Sequence, residues 1–421
     1  MVRMTMADMA ELADKRPGAF RLENADSDLK PPRLAIQATK NAVGEDRYNS
    51  YLPLHGLPEL RQAIASRYES DFGLRYDPDG EIVVTSGIGE AMLDVLLSYV
   101  NEGDRVLMTN PTYNGMAQRV RLAGGVQVFT NQVERDGWHL DGSDLRKAAR
   151  GCRVIFYGSP SMPTGVIFRR DETERLAEAA VENDALILFN GAVDRLVFGG
   201  REVVNPATLS AIWERTISVG SVTKNYNMIG WRIGWAAGPR ELMKPVHDVH
   251  IFNGIMASGY SEAGAIAALN GPQDYIAQSV ATYERRRDVL VSRLQKIPGI
   301  QLVPPDGGYF FIANISALGV NAKDFCERLL AEGNVAITPM NAWGADDFGD
   351  QPVRFIFTNE PYARLLDPAA RIPAFVARHS PPRCASRGFT AAFRSPAWPR
   401  PSRSSMCRGI SFRATDENTT D

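Results

Sequence analysis

Short, nearly unbroken apolar runs alternate with stretches of helical period through the middle of the chain. The runs at 81–85, 105–109, 126–129, 153–157, 185–189 and 216–219 are rich in Val, Ile, Leu and Phe, and the amphipathic stretch 90–100 follows the first of them. A strand with one wet face alternates apolar and polar residues, whereas a continuous run belongs to a strand covered on both faces. The pattern therefore predicts an α/β fold with a mostly parallel sheet between helical layers. Ligands of such sheets gather beyond the carboxyl ends of the strands.

Past the middle of the chain the pattern changes. A long helical period over 278–296 leads into a second region, with strands expected at 307–312 and 352–357 around a helix at 322–332. The chain accordingly divides into a segment 1–45 that joins a smaller domain, a large domain over 46–290, that smaller domain over 291–366, and a tail over 367–421. Arg, Pro and Ser dominate the tail, which sustains no periodic helix and is too poor in apolar residues to offset the entropy of ordering. Two origins remain open for it: a disordered extension, or a reading-frame change that replaced the native end.

Composition narrows the class. With 421 residues, 44% of them apolar and 23% charged, the chain has the make-up of a soluble globular protein with room for two domains. A net charge of −2 lacks the basic footprint of a nucleic-acid or anionic-membrane binder. The most apolar helical stretch, 92–100, is too short to span a bilayer and carries Asp94. Acidic and basic residues mix among the methionines of the first twenty positions, unlike a signal peptide. Cysteines at 152, 326, 384 and 407 form no Cys-x-x-Cys pair, and the five histidines form no His-x-x-x-His pair. Neither a disulfide framework nor a metal site is expected, and a reducing cytoplasm fits.

The candidate chemistry concentrates in Ser221-Val-Thr-Lys-Asn-Tyr-Asn-Met-Ile-Gly-Trp-Arg-Ile-Gly-Trp235. A lysine after a hydroxyl-rich turn, followed by Gly-x-Arg-x-Gly, suits an amine that bonds an aldehyde beside a phosphate. Ser221 and Thr223 offer hydroxyls to phosphate oxygens, and Arg232 offers a bidentate clamp. Ser86-Gly-Ile-Gly-Glu-Ala91 follows a strand and opens a helix, where free N–H groups and the helix dipole attract phosphate. As a dinucleotide fingerprint it is weak, because Met92 stands where the third glycine belongs.

With Tyr51-Leu-Pro-Leu-His-Gly56 and Asn110-Pro-Thr-Tyr113, these segments resemble the class I/II aminotransferases over about 20–361. These are the fold-type-I enzymes dependent on pyridoxal 5'-phosphate. The resemblance implies a large domain with a mostly parallel sheet plus a smaller α/β domain, pyridoxal phosphate as cofactor, and a homodimer with shared active sites. It implies that Lys224 is the Schiff-base lysine and that Ile88, Gly89, Ser221 and Arg232 hold the phosphate. Tyr51 then reaches the phosphate of the neighbouring subunit, Tyr113 stacks on the pyridine ring, and Arg354 grips the substrate α-carboxylate.

Three positions depart from the family pattern. Met162, in Ser159-Pro-Ser-Met-Pro-Thr-Gly165, replaces an asparagine that donates to the cofactor's phenolic oxygen. Asn190 replaces the aspartate that pairs with the pyridine nitrogen, and Val193 replaces a tyrosine that also donates to the phenolic oxygen; Asp194 is four residues too late to stand in for the carboxylate. A neutral asparagine hydrogen-bonds the nitrogen without favouring its positive charge, which weakens the ring as an electron sink. The resemblance implies first an aminotransferase moving the amino group of an α-amino acid to a 2-oxo acid. The substitutions leave open a lyase, racemase or oxidase on the same scaffold, or a non-catalytic homologue that binds the cofactor.

Overall fold

The structure, a computed structural model, describes residues 5–345, 348 and 350–379. In chain order its strands begin with β1 (Phe20–Arg21), β2 (Ile82–Thr85), β3 (Arg105–Asn110), β4 (Val126–Val133), β5 (His139–Leu140), β6 (Cys152–Gly158) and β7 (Leu186–Asn190). They continue with β8 (Thr216–Ser221), β9 (Gly234–Ala237), β10 (Gln301–Leu302), β11 (Phe310–Asn314), β12 (Val335–Ala336), β13 (Thr338–Pro339) and β14 (Pro352–Ile356). One sheet runs β2-β9-β8-β7-β6-β3-β4-β5. Its central strands β8, β7, β6, β3 and β4 are parallel, while β9 opposes both β2 and β8, and β5 opposes β4.

The unbroken apolar runs are explained by this sheet. Val106 and Met108, Val154 and Phe156, and Leu186 and Leu188 join one buried layer with Val95, Leu96 and Val120. The residues between them, Leu107, Ile155, Tyr157, Ile187 and Phe189, join the opposite layer with Phe168, Leu176 and Ala180. Each such side chain contributes about 1.5–3 kcal/mol on burial, so a polar residue at either phase is penalised.

A second sheet, β10-β11-β14-β13, is antiparallel throughout. Its core includes Phe311 and Phe355, whose rings stack with centroids 5.2 Å apart. Met9, Ala13, Phe20 and Leu22 join this core, and β1 pairs in parallel with β12. The helix Arg33–Val43 goes elsewhere: Ala35 packs in the cluster of Leu60, Ile64, Ala265 and Leu269. The first 45 residues are thus shared between the two cores. The helix Asp274–Leu294 runs unbroken past residue 290, with Ile276 in the cluster of the large sheet and Tyr283, Leu290 and Leu294 in the other.

The expected start of the tail at 367 is corrected by a helix at Tyr362–His379. Leu365, Pro368, Ala369, Ile372, Phe375 and Val376 lie buried along one face of it. Pro368 and Pro373 each remove a backbone donor and ordinarily break a helix, which hid the period in the sequence. Burial of the face against Phe325 and its neighbours outweighs that loss, with the Phe375 and Phe325 rings edge-to-face at 5.5 Å. Residues 380–421, and with them both readings of the tail's origin, lie outside the described residues. Among the described residues, no helix is long and apolar enough to cross a membrane.

Truncating Phe375 tests the closing helix. Phe375→Ala should lower unfolding stability by about 3 kcal/mol, the usual cost of emptying a buried aromatic site, measured as a shift in the urea midpoint at constant slope. An unchanged midpoint would show that the helix is not packed.

Candidate active site

The strands β2, β3, β6, β7 and β8 end at Thr85, Asn110, Gly158, Asn190 and Ser221. Parallel strands deliver these ends to one edge of the sheet, and the expected site residues other than Tyr51 and Arg354 lie on or just beyond them.

One pole of the site is built for an anion. Gly87 has φ 90°, and a Cβ there would strike the Arg232 guanidinium, so the glycine lets that group lie on the loop. The helix Ile88–Tyr99 starts immediately after, with the N–H groups of Ile88 and Gly89 in its first turn, ahead of any intrahelical acceptor. Ser221 pairs with Gly234 across β8 and β9, and a Cβ at Gly234 would collide with the Ile88 amide. The hydroxyl strand end and the helix start therefore touch. Ser221 Oγ and Thr223 Oγ1 are buried without a hydrogen-bond partner. Leaving a buried hydroxyl unpaired costs about 1–3 kcal/mol, so both call for a ligand. Two hydroxyls, two first-turn amides and a guanidinium form a donor set that fits a phosphate.

Lys224 stands next to this pole, partly buried. Its Nζ donates to the Ala25 carbonyl and lies 4.9 Å from the Tyr309 ring centroid, while the Tyr309 hydroxyl donates to the Lys224 carbonyl at 2.9 Å. Burial pulls the amine down to about 8; Asp26 opposes this, and the cations Arg354 and Arg232 reinforce it. Such an amine is partly neutral near physiological pH.

Arg354, on β14 of the second sheet, is buried and close enough to Lys224 to lower its amine. Its Nη2 donates to the Glu23 carbonyl at 2.7 Å, and its guanidinium carbon sits 4.3 Å from the Trp343 ring centroid. Arg354 Nε has no partner. Burial lowers Arg354 from the ordinary guanidinium value, yet it stays a cation at neutral pH. A buried cation with a free donor is suited to an anionic ligand.

A small cavity at the strand ends is lined by Thr109, Tyr113, Gly158, Met162, Asn190 and Val193, among others. The three departures noted in the sequence thus meet in one place. The Asn190 side-chain oxygen accepts the Ala192 N–H at 3.0 Å, which leaves its amide Nδ2 as the group free to face a ligand. Met162 packs against two apolar clusters and Val193 is buried in one of them, and neither side chain carries a donor. Asp194 lines a different cavity with Asp71 and Tyr226, and accepts from Asn225 at 2.9 Å. Burial raises its carboxyl to about 7, and it does not replace the carboxylate missing at Asn190.

Tyr51 is 81% exposed. Four contributors escaped the sequence reading: Ala25, Glu23, Tyr309 and Trp343. Ala25 and Glu23 act through backbone carbonyls, which no side-chain pattern reports. Tyr309 and Trp343 had a weak signal, an aromatic residue next to glycine in a loop-bounded segment.

A model of the family described as aminotransferase class I and II matches residues 20–366. The aspartate aminotransferase of Bacillus sp. (strain YM-2) is 30% identical over 325 residues, spanning 76% of this chain and 82% of that protein. The solved N-succinyldiaminopimelate aminotransferase from Mycobacterium tuberculosis superposes with a TM-score of 0.82 at 31% identity, over 88% of this chain and 97% of that one. The aspartate aminotransferase from Rhizobium meliloti gives 0.83 at 27% identity, over 90% and 97%.

The lowered Lys224 amine has a direct readout. Reductive methylation of its peptide, followed by mass spectrometry, should rise with a midpoint near pH 8 as the neutral amine appears. A midpoint shared with the surface lysines would overturn the buried-amine picture.

Proposed function

This chain belongs to the aminotransferase class I and II family, and on that premise we propose how its own residues carry out pyridoxal-phosphate-dependent transfer of an amino group from an α-amino acid to a 2-oxo acid. The cofactor supplies an electron sink that eases bond breaking at the substrate's α-carbon. The Ile88 and Gly89 amides, the Ser221 and Thr223 hydroxyls and Arg232 hold its phosphate. Tyr113 would lie against its ring, and the Asn190 Nδ2 would offer a donor to its ring nitrogen. Lys224 Nζ would hold the cofactor and would serve as the base that takes the proton from the substrate α-carbon. A value of about 8 suits that proton transfer at neutral to mildly alkaline pH. Arg354, with its free Nε–H, receives the substrate α-carboxylate in a planar fork. The observation that carries this reading is the pair of buried, unpartnered hydroxyls at Ser221 and Thr223 beside Lys224.

A homodimer completes the proposal. Tyr51 at 81%, Phe252 at 89% and Ile255 at 47% exposure are exposed on neighbouring segments, linked by a hydrogen bond from the Leu52 N–H to Met256 Sδ at 3.3 Å. Apolar groups exposed together mark interfaces. A second copy over this surface would bring Tyr51 to the partner's phosphate. The buried free thiols of Cys152 and Cys326 suit a reducing cytoplasm.

The neutral Asn190 also supports a second reading. With its oxygen turned to the Ala192 N–H, Asn190 presents its amide Nδ2 as a donor, and a donor pairs with an unprotonated ring nitrogen. A weaker electron sink results, as suits a racemase, lyase or oxidase.

Absorbance spectra of the loaded protein with a panel of amino acids, beginning with aspartate, separate the readings. Conversion to the pyridoxamine form is expected with at least one amino acid, and borohydride should fix the cofactor on the Lys224 peptide alone. Label on another lysine would sink the assignment of Lys224; racemisation or ammonia release without conversion would favour the second reading. Asn190→Asp should raise the half-transamination rate by about tenfold or more, from a few kcal/mol of recovered electrostatic stabilisation. A rate that falls or stays level would show that Asn190 does not face the ring nitrogen.

A further inference from the structure

Behind the phosphate pole lies a buried cluster that none of these roles uses. Glu90 sits in the first turn of the helix Ile88–Tyr99, Asp94 one turn later, and His250 on the helix Arg240–Asn253. His250 and Asp94 are fully buried. His250 Nε2 is 2.9 Å from the Leu54 carbonyl, and its Nδ1 is 3.0 Å from Glu90 Oε1 and 3.4 Å from Asp94 Oδ2. A carbonyl only accepts, so Nε2 carries a proton. Nδ1 donates to Glu90 Oε1 and lies at ion-pair distance from Asp94 Oδ2, which has no hydrogen-bond partner of its own; with a proton on each nitrogen the ring is an imidazolium.

The surroundings leave this charge to His250. Glu90 also accepts the Ser86 N–H, and Asp94 Oδ1 accepts from Asn253 at 2.7 Å. From the segment before the helix Pro58–Phe72 comes His55, edge-to-face with His247 at 5.0 Å, and burial lowers both. Asp248 faces His247. Arg61 pairs with Asp79 at 2.6 Å. Glu262, on the helix Gly259–Asn270, accepts the Leu57 N–H at 2.8 Å, and burial raises its carboxyl to about 7.

We propose that His250, as an imidazolium, is a positioning residue of the phosphate site: it neutralises Glu90 and Asp94 behind the helix start and pins that start to segment 51–57, which carries Tyr51. The inference rests on the phosphate reading above. Two carboxylates at the first turns of a helix occupy the same positive end that a phosphate needs, and uncompensated they repel it. The cation between them removes that repulsion. The Leu54 carbonyl extends the brace to the segment that serves the partner's site.

Burial pulls the imidazole down, but the bonds to Asp94 and Glu90 outweigh it and raise it to about 9. In the unfolded chain the ring titrates near its ordinary value, about 6.5. The brace is therefore complete below that value, persists through neutrality, and is lost as the pH rises through about 9.

The test uses pyridoxine 5'-phosphate, which has the phosphate but no aldehyde and so cannot bond Lys224. Its dissociation constant is measured on the full-length protein freed of cofactor, between pH 7 and about 10.5, a range set to bracket the titration. The ligand atoms of Glu90, Asp94 and His250 lie within 4.8 Å of one another, a spacing a metal ion also accepts, so chelator is present throughout. His250→Gln should weaken binding on the order of tenfold at neutral pH, about one pKa unit of interaction. The ratio of variant to wild type should then shrink as the wild type loses its charge near pH 9. Adding Glu90→Gln to His250→Gln should recover part of the loss, because one of the two uncompensated carboxylates, the one nearer the helix start, is gone. A ratio independent of pH, or no recovery, overturns the proposal. Should His250→Gln fail to fold, Glu90→Gln alone serves: the wild-type midpoint near 9 must move down, and an unmoved midpoint overturns it. Failure of the wild type to bind the probe at all would overturn the phosphate reading as well; binding that ignores both substitutions would overturn this inference alone.

Discussion

A parallel sheet buried on both faces must return its chain through helices, and every forward strand then ends at the same edge. In this protein that constraint places Asn110, Gly158, Asn190 and Ser221 side by side, although they are separated by over a hundred residues of chain. The apolar layers hold the strands in register, and the polar work is left to their ends. Gly87 and Gly234 refine this arrangement, since a Cβ at either would push apart the helix start, β9 and Arg232.

The site so assembled is rich in cations. Lys224, Arg232 and Arg354 converge, and Arg354 and Arg232 each lower the lysine that burial has already lowered. Such a concentration of positive charge suits anionic ligands, which under the proposed function would be a phosphate at one pole and a carboxylate at the other. The second sheet takes part directly, since β14 supplies Arg354 and the N-terminal segment supplies the carbonyls of Glu23 and Ala25. Under the proposed function, ligand capture and the packing of the second sheet's core would be coupled through the same residues.

Around the cofactor ring the chain departs from its relatives in one consistent direction. Met162 and Val193 are absorbed into apolar packing, and Asn190 is oriented by Ala192. Under the proposed function, each change would remove a charge or a donor from the ring's surroundings while leaving the phosphate pole intact, so that cofactor binding and the power of the cofactor as an electron sink would be set by separate groups of residues.

How much was legible follows from where the information lies. The two-sided apolar runs determined the layered α/β fold, because burial on both faces is written at every position of a strand. The local motif around Lys224 pointed to phosphate and amine chemistry, because its hydroxyls, glycines and arginine are close in the chain. The helix Tyr362–His379 was hidden, since Pro368 and Pro373 argue against a helix that only the small-domain core can stabilise. Ala25 and Glu23 act through backbone oxygens, Trp343 reaches Arg354 from another element, and His250 joins two segments far apart in sequence. Local periodicity records which face of an element is buried; which distant group meets it is decided only when the elements pack.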